Sequence, residues 1–243
     1  MNEKTLMTYW FPLLEAAGIP VPQTMSVVMP PELCKNVRMV LYGEEPERDP
    51  REFSFFTELR LAVEKIGTPC FLRTAMTSAK HSWDDTCFLS DVGDLVKHVY
   101  AIAEFSEIAD FCGLPIDTWF VRELLPSIKF GFCPHYDNMP VAREFRFFVD
   151  DGKVRCFHPY WPLEPLRDGK WQVDAPEDVA YSELCTIGDY GAVCALAEKA
   201  GAAVGGSWSV DLLETENGWY VTDMAEAHKS FHWEGCKFEK ESA

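Results

Sequence analysis

The sequence lacks the signatures that assign many proteins at a glance. None of its nine cysteines stands in a Cys-x-x-Cys pair. Several sit inside apolar runs, where a free thiol behaves as a small hydrophobe, so reduced core cysteines in a cytosolic protein are expected rather than a zinc site or a disulfide framework. No Gly-x-Gly-x-x-Gly follows a strand pattern and no Walker A sequence is present, which leaves a Rossmann or P-loop site without support. No apolar run approaches membrane-spanning length, and Met1-Asn-Glu-Lys-Thr5 is not followed by a long apolar segment. Neither a membrane span nor a signal peptide is therefore expected. Positive charge is scarce: 22 Lys and Arg stand against 39 Asp and Glu, for a net charge of −17. That balance argues against a general nucleic-acid or membrane-surface binder, while leaving room for a local basic pocket. Internal repeats and low-complexity tracts are absent too.

Core-forming material is present. Of 243 residues, 47% are hydrophobic and 14% aromatic, enough for one large domain or two small ones. Apolar spacing predicts helices over 5–17, 53–66, 91–112 and 190–204, with a short one over 177–185. Strands are predicted at 25–29, 37–42, 70–74, 86–90, 118–125, 141–149 and 153–158, the last two joined by Asp150-Asp151-Gly152. Loops are read over 43–51, 126–140 and 159–176. Strands do not alternate strictly with helices, so the fold class is α+β with mainly antiparallel sheets.

The most informative stretch runs from Ser207 to Asp223. Two strand-like runs, Ser207–Leu213 and Trp219–Met224, flank a turn in which Asn217-Gly218 would supply positive φ. Folding them together sets Asp211 close to opposite Asp223. Two carboxylates at a cross-strand pair repel. A divalent cation between them resolves the conflict, since Mg²⁺ takes one or two carboxylates and completes its shell with water and phosphate oxygens. On spacing alone, a solvated face that carries two aspartates is an equal alternative.

Other residues supply what a nucleotide needs without a P-loop. Arg73 at a strand end and Lys80 in the next loop are candidates for phosphate oxygens. Strand 121–125 (Arg122, Glu123, Leu124, Leu125) is a candidate for holding adenine through its backbone, with Glu123 placed for base or ribose. Arg143 and Arg146 lie on opposite faces of one strand, and alternation does not say which faces a site. His158, at a strand end, reads as a satisfied structural histidine. His228 and Lys229 are weaker candidates in the tail.

Taken in order, these pieces resemble the ATP-grasp superfamily over roughly 10–233. The passages are AAGIPVPQT, GTPCFLRTAMTSAKHSW, WFVRELLP, AREFRFFVDDGKV and GGSWSVDLLETENGWYVTDMAE. Arg73 stands where the superfamily's strand lysine usually stands. The arginine-then-lysine pattern is most similar to the small arginine/lysine clade, often carried by phages and related to an ATP-grasp assembly factor of eukaryotic translation initiation. The resemblance implies two α+β subdomains clamping a nucleotide. It divides the chain into an N-terminal portion (1–52), a nucleotide lid (53–125) and a C-terminal subdomain with metal-binding strands (126–243). It implies ATP and Mg²⁺ as cofactors and a ligase that activates a carboxylate as an acyl phosphate for attack by an amine or thiol. The substrate would be a small molecule, a peptide or a protein. Arg146 sits at the family's arginine position. The superfamily's closing Glu-x-Asn is here Asp223-Met224-Ala225; Glu226 is adjacent as a third metal-ligand candidate, though on the opposite face of a continued strand. A non-catalytic Mg-ATP-binding assembly factor for a protein partner is the alternative, supported by the missing asparagine and by Trp161, Trp171 and Trp233 read as exposed.

Overall fold

A computed structural model describes residues 3–110 and 113–233; Cys112 and Cys236 lie outside them. In chain order the elements are α1 (Met7–Ala16), β1 (Thr24–Val28), α2 (Pro31–Leu41), α3 (Ser54–Ile66), β2 (Cys70–Thr74), β3 (Phe88–Leu89), α4 (Leu95–Ile108) and β4 (Thr118–Glu123). There follow β5 (Lys129–Cys133), β6 (Met139–Ala142), β7 (Glu144–Asp150), β8 (Lys153–Pro159), α5 (Leu163–Asp168), α6 (Glu177–Leu184), α7 (Tyr190–Val204), β9 (Ser207–Thr215) and β10 (Gly218–Glu226). All pairings between the named strands of the two four-stranded sheets are antiparallel.

Contacts divide the chain into two compact units. Gln23–Leu124 and Tyr136–Met139 form one, around a sheet ordered β1-β4-β2-β3. Its core is built where the apolar stripe of α3 (Phe55, Phe56, Leu59, Ala62, Val63) and that of α4 (Leu95, Val99, Ile102, Ala103) meet the inward residues Val27, Leu72 and Val121. Gly67 ends α3 at φ +92°, a backbone state that glycine adopts without strain.

The other unit comprises the chain up to Pro22, Leu125–His135, and the chain from Pro140 onward. Its sheet is ordered β10-β9-β7-β8, with α7 packed against it and α1 against α7. Phe145, Phe147 and Val149 of β7 are buried. A Cβ added at Gly201 of α7 would lie 2.4 Å from Val149 Cγ1, so the missing side chain is what lets helix and strand approach. Residues 3–22 therefore belong with the C-terminal sheet, and not with 23–52 as the expected division at 52 has it; Val221 N also donates to Pro20 O at 2.9 Å.

Four expected elements differ. Residues 37–42 form the end of helix α2, not a strand: Pro31 occupies its first turn, where proline's missing N–H costs nothing, and Leu33, Cys34 and Val37 face inward. The loop expected over 126–140 contains β5, which pairs with β6. The strand expected over 141–149 is two strands broken at Arg143. Helix α5 lies within the expected loop 159–176.

Candidate functional site

The β9–β10 turn has Glu216 and Asn217 at its tip. Thr215 Oγ1 accepts from Asn217 N at 3.0 Å and donates to Gly218 O at 2.8 Å. Gly218 takes positive φ, at +111°, whereas Asn217, expected to share it, does not. From Gly218↔Thr215 the register runs without a break to Val221↔Leu212. Continued regularly, it would set Thr222 opposite Asp211 and turn Asp223 to the other face. A bulge between Val221 and Asp223 inserts Thr222 and restores Asp223 opposite Asp211. Val221 and Leu212 are thereby buried in the core while the acidic pair takes the opposite face; Val221 and Asp223 do not share a face as simple alternation requires. The Thr222 hydroxyl holds the bulge, its one O–H shared between Glu144 Oε1 at 3.1 Å and Asp211 O at 3.3 Å.

Asp211 is also opposite Arg146 on β7, and Arg146 is opposite His158 on β8. Four strands thus carry one polar row: His158, Arg146, Asp211, Asp223. Arg146 Nε and Nη2 donate to the two oxygens of Asp211, both at 2.8 Å, with side-chain exposures of 16% and 5%. Burial disfavours the Arg146 charge, yet the adjoining Asp211 carboxylate outweighs it and raises the guanidinium pKa above its ordinary value. The guanidinium also stands 5.1 Å over the Tyr160 ring.

Arg143 is engaged elsewhere. It donates to Glu214 Oε2 at 2.5 Å and to the Glu183 carbonyl at 2.8 Å, and stacks 4.9 Å over Phe130, tying α6, β5 and β9 together. Glu226 pairs with Trp208 in the register, one residue beyond Ala225, and its carboxylate accepts from Lys229 Nζ at 2.6 Å. Ala225, which alternates onto the face of Asp223, offers no donor. Among the described residues no three His, Cys, Asp or Glu form a metal-holding group. Asp211 and Asp223 fit a single Mg²⁺, because each carboxylate oxygen has two lone pairs and Asp211 can accept from Arg146 along one and face a cation along the other.

His158 departs from expectation. The ring is 6% exposed and lies 2.8 Å from Pro159 O through Nδ1, so Nδ1–H is the donor; Nε2 is buried and has no hydrogen-bond partner among the described residues. Burial, the largest influence, lowers its pKa and favours the neutral ring. What the sequence alone does not carry is register, which is needed to see His158 beside Arg146. Of the tryptophans read as exposed, Trp161 is 7% exposed, and Trp171 Nε1 donates to Phe130 O at 2.7 Å.

The remaining candidates lie in the first unit, except Leu125, which falls just past its boundary. Arg73 and Arg122 are not solvated surface charges but are 5% and 3% exposed. The pairs Phe71↔Arg122 and Arg73↔Phe120 set both on the sheet face opposite to Leu72 and Val121. Arg73 Nε donates to Thr74 O at 3.1 Å. Lys80 is half-buried at the start of a short 3-10 stretch, after a turn that Thr74 Oγ1 organises by accepting from Thr77 N at 3.0 Å. Glu123 Oε1 accepts from Gln23 N at 2.8 Å, and Leu124 and Leu125 are half-buried beyond β4.

Residues 64–232 match the model of a family of ATP-grasp domains, family 3 of the arginine/lysine clade. No curated protein matches the chain. Among solved structures, Cdc123 from Schizosaccharomyces pombe aligns over 98% of this chain and 90% of its own at 16% identity, TM-score 0.52. N5-carboxyaminoimidazole synthase from Aspergillus clavatus, in complex with ADP and 5-aminoimidazole ribonucleotide, aligns over 94% and 46% at 12% identity, TM-score 0.51. The ATP-grasp ligase PsnB, complexed with a phosphomimetic variant of its minimal precursor, Mg and ADP, aligns over 97% and 53% at 13% identity, TM-score 0.50. The chain therefore spans about half the length of these two enzymes. At such identities the likeness is one of fold. No described helix is long and apolar enough to cross a membrane.

Proposed function

This chain belongs to family 3 of the arginine/lysine clade of ATP-grasp domains, and from that membership we propose that it is an ATP-dependent ligase joining a carboxylate to an amine. A carboxylate oxygen of the substrate attacks the γ-phosphorus of ATP; ADP leaves and an acyl phosphate forms. The amine nitrogen then attacks the carbonyl carbon, phosphate departs with the bonding electrons, and the nitrogen sheds a proton. The carboxylate is carried by a small molecule, a peptide or a protein.

The observation that carries the reading is the buried Arg146–Asp211 pair beside Asp223. A guanidinium fixed by a carboxylate is already oriented when negative charge develops on a transferring phosphoryl group, so little reorganisation is needed at the moment of reaction. In this reading Arg146 meets the transferred phosphoryl group and the acyl phosphate. Arg73 and Lys80 hold the other phosphates, and the end of β4 (Arg122–Glu123, with Leu124 and Leu125) holds the base and ribose. Asp211 and Asp223 would hold Mg²⁺, which when bound supplies positive charge to the phosphate oxygens. Arg143 ties elements together and Glu226 is turned to Lys229, so neither is assigned a role in the chemistry.

Ala225 favours a second reading. With no donor at that position one divalent ion is held and not two, which suits a Mg-ATP-binding factor that orders a surface for a protein partner without turnover. Mass spectrometry separates the two. The protein is incubated with Mg-ATP and a panel of carboxylates and amines. ADP release that depends on both substrates supports the ligase. A large thermal shift with Mg-ATP and no ADP with any pair supports the factor. Loss of the Mg²⁺-dependent part of that shift in Asp211→Asn is expected; an unchanged shift refutes the metal assignment.

A further inference from the structure

Beside the phosphate chemistry, the second unit holds two buried polar atoms that the proposed function does not use. His158 Nε2 and Trp233 Nε1 are both shielded from solvent, and neither has a hydrogen-bond partner among the described residues. The two rings stack on each other, with centroids 5.2 Å apart and planes 22° from parallel. Phe148 and His232 stack next to them at 3.7 Å, and Phe148 stands 5.6 Å from His158. Buried polar groups in native proteins are nearly always bonded, so two bare ones in contact call for a reason. Their chemistry is complementary. His158 donates through Nδ1 to Pro159 O, which leaves a lone pair on Nε2. The Trp233 indole N–H can only donate. His158 is directly opposite Arg146, so the pair stands at the end of the Arg146–Asp211–Asp223 row.

Resting on the ligase reading, we propose that His158 and Trp233 form the subsite for the nucleophile, and that the nucleophile carries an N–H beside a carbonyl or carboxylate oxygen, as an amino acid or a peptide N-terminus does. The N–H donates to His158 Nε2 and the neighbouring oxygen accepts from Trp233 Nε1. An acceptor and a donor side by side select for a group bearing one of each, and the flat rings suit a planar amide or carboxylate. Trp233 lies in the stretch Phe231–Trp233 outside the regular elements, and its ring shifts on His158 to admit the ligand. Two hydrogen bonds then replace a contact that leaves both atoms bare.

The test uses the full chain with ¹⁵N-labelled histidine and tryptophan, titrated with glycinamide and glycylglycine and, as a control with no N–H, acetate. The expected result is saturable movement of the His158 Nε2 and Trp233 Nε1 resonances with the first two probes and no coupled movement of both with acetate. Trp233→Phe should weaken glycylglycine binding about tenfold. His158→Phe should abolish it, and His158→Gln, which restores a polar group near Nε2, should recover part. In turnover, these variants should raise KM for the amine and leave KM for ATP and the Mg-ATP thermal shift unchanged. No saturable movement with either probe overturns the proposal, as does an equal loss of the Mg-ATP shift in every variant, which marks a purely structural role or a bound water. Saturable binding without ADP release from any substrate pair sinks the ligase reading and keeps the subsite.

Discussion

Replacing Asp211 by Asn removes the counter-charge of a guanidinium that the fold has taken out of water. Both Arg146–Asp211 hydrogen bonds measure 2.8 Å, and the two side chains are 16% and 5% exposed. In the variant one acceptor oxygen remains, but an NH₂ group replaces the other and meets Arg146 donor to donor. Removing one partner of a buried pair typically costs about 3–5 kcal/mol, and the retained oxygen places this variant near about 3 kcal/mol. In a protein of this size that corresponds to a fall in Tm of about 6–12 °C. A double-mutant cycle isolates the pair. Arg146→Met alone strands the carboxylate, and Asp211→Leu alone strands the guanidinium. Arg146→Met/Asp211→Leu leaves no charge buried, so its loss should fall short of the summed single losses by about 2–3 kcal/mol. Urea unfolding at neutral pH, followed by tryptophan fluorescence, measures all four proteins. Additivity within about 0.5 kcal/mol would refute the argument that each charge depends on the other.

Three further outcomes follow from named contacts. Thr222→Val keeps the shape of the bulge residue but loses its bonds to Glu144 Oε1 and Asp211 O, and should cost about 1 kcal/mol in the same unfolding assay. Gly201→Ala drives a methyl into Val149 and should destabilise by about 1–3 kcal/mol, and adding Val149→Ala should recover most of it. Burial lowers the His158 pKa, so the unfolded chain takes up a proton near about pH 6.5 that the folded chain resists. That contribution to stability is complete above this pH and is lost as pH falls toward the lowered folded value; His158→Gln should flatten the decline below about pH 6.5 in unfolding free energy against pH.

Sequence patterns reach the local elements well where the chemistry is local. Strand Cys70–Thr74 and helix Tyr190–Val204 have the expected bounds, because each is delimited by its own turn residues. Helix α2 reads wrongly as a strand, since Pro30-Pro31 ends a strand and begins a helix with equal ease. The antiparallel α+β organisation follows from element order. Register does not. Choosing between Arg143 and Arg146 needs to know which strand lies beside β7 and in what phase, and the β9 pairing supplies that. The hairpin pattern predicts the juxtaposition of Asp211 and Asp223, yet a regular hairpin does not give it; the inserted residue does.

That insertion makes the acidic pair depend on a count of residues as well as on their identity. Between the turn and Asp223, one residue more would exchange the outward and core-facing sets of the strand's end and carry Asp223 into the place of Met224, across from Val210. Loss of Thr222 acts differently: it would remove the bulge and leave Asp223 opposite Asp211 in regular register. Single-residue insertions there should therefore be far more damaging than deletion of Thr222, an asymmetry that a length-variant library of 218–223 would expose without any knowledge of the substrate.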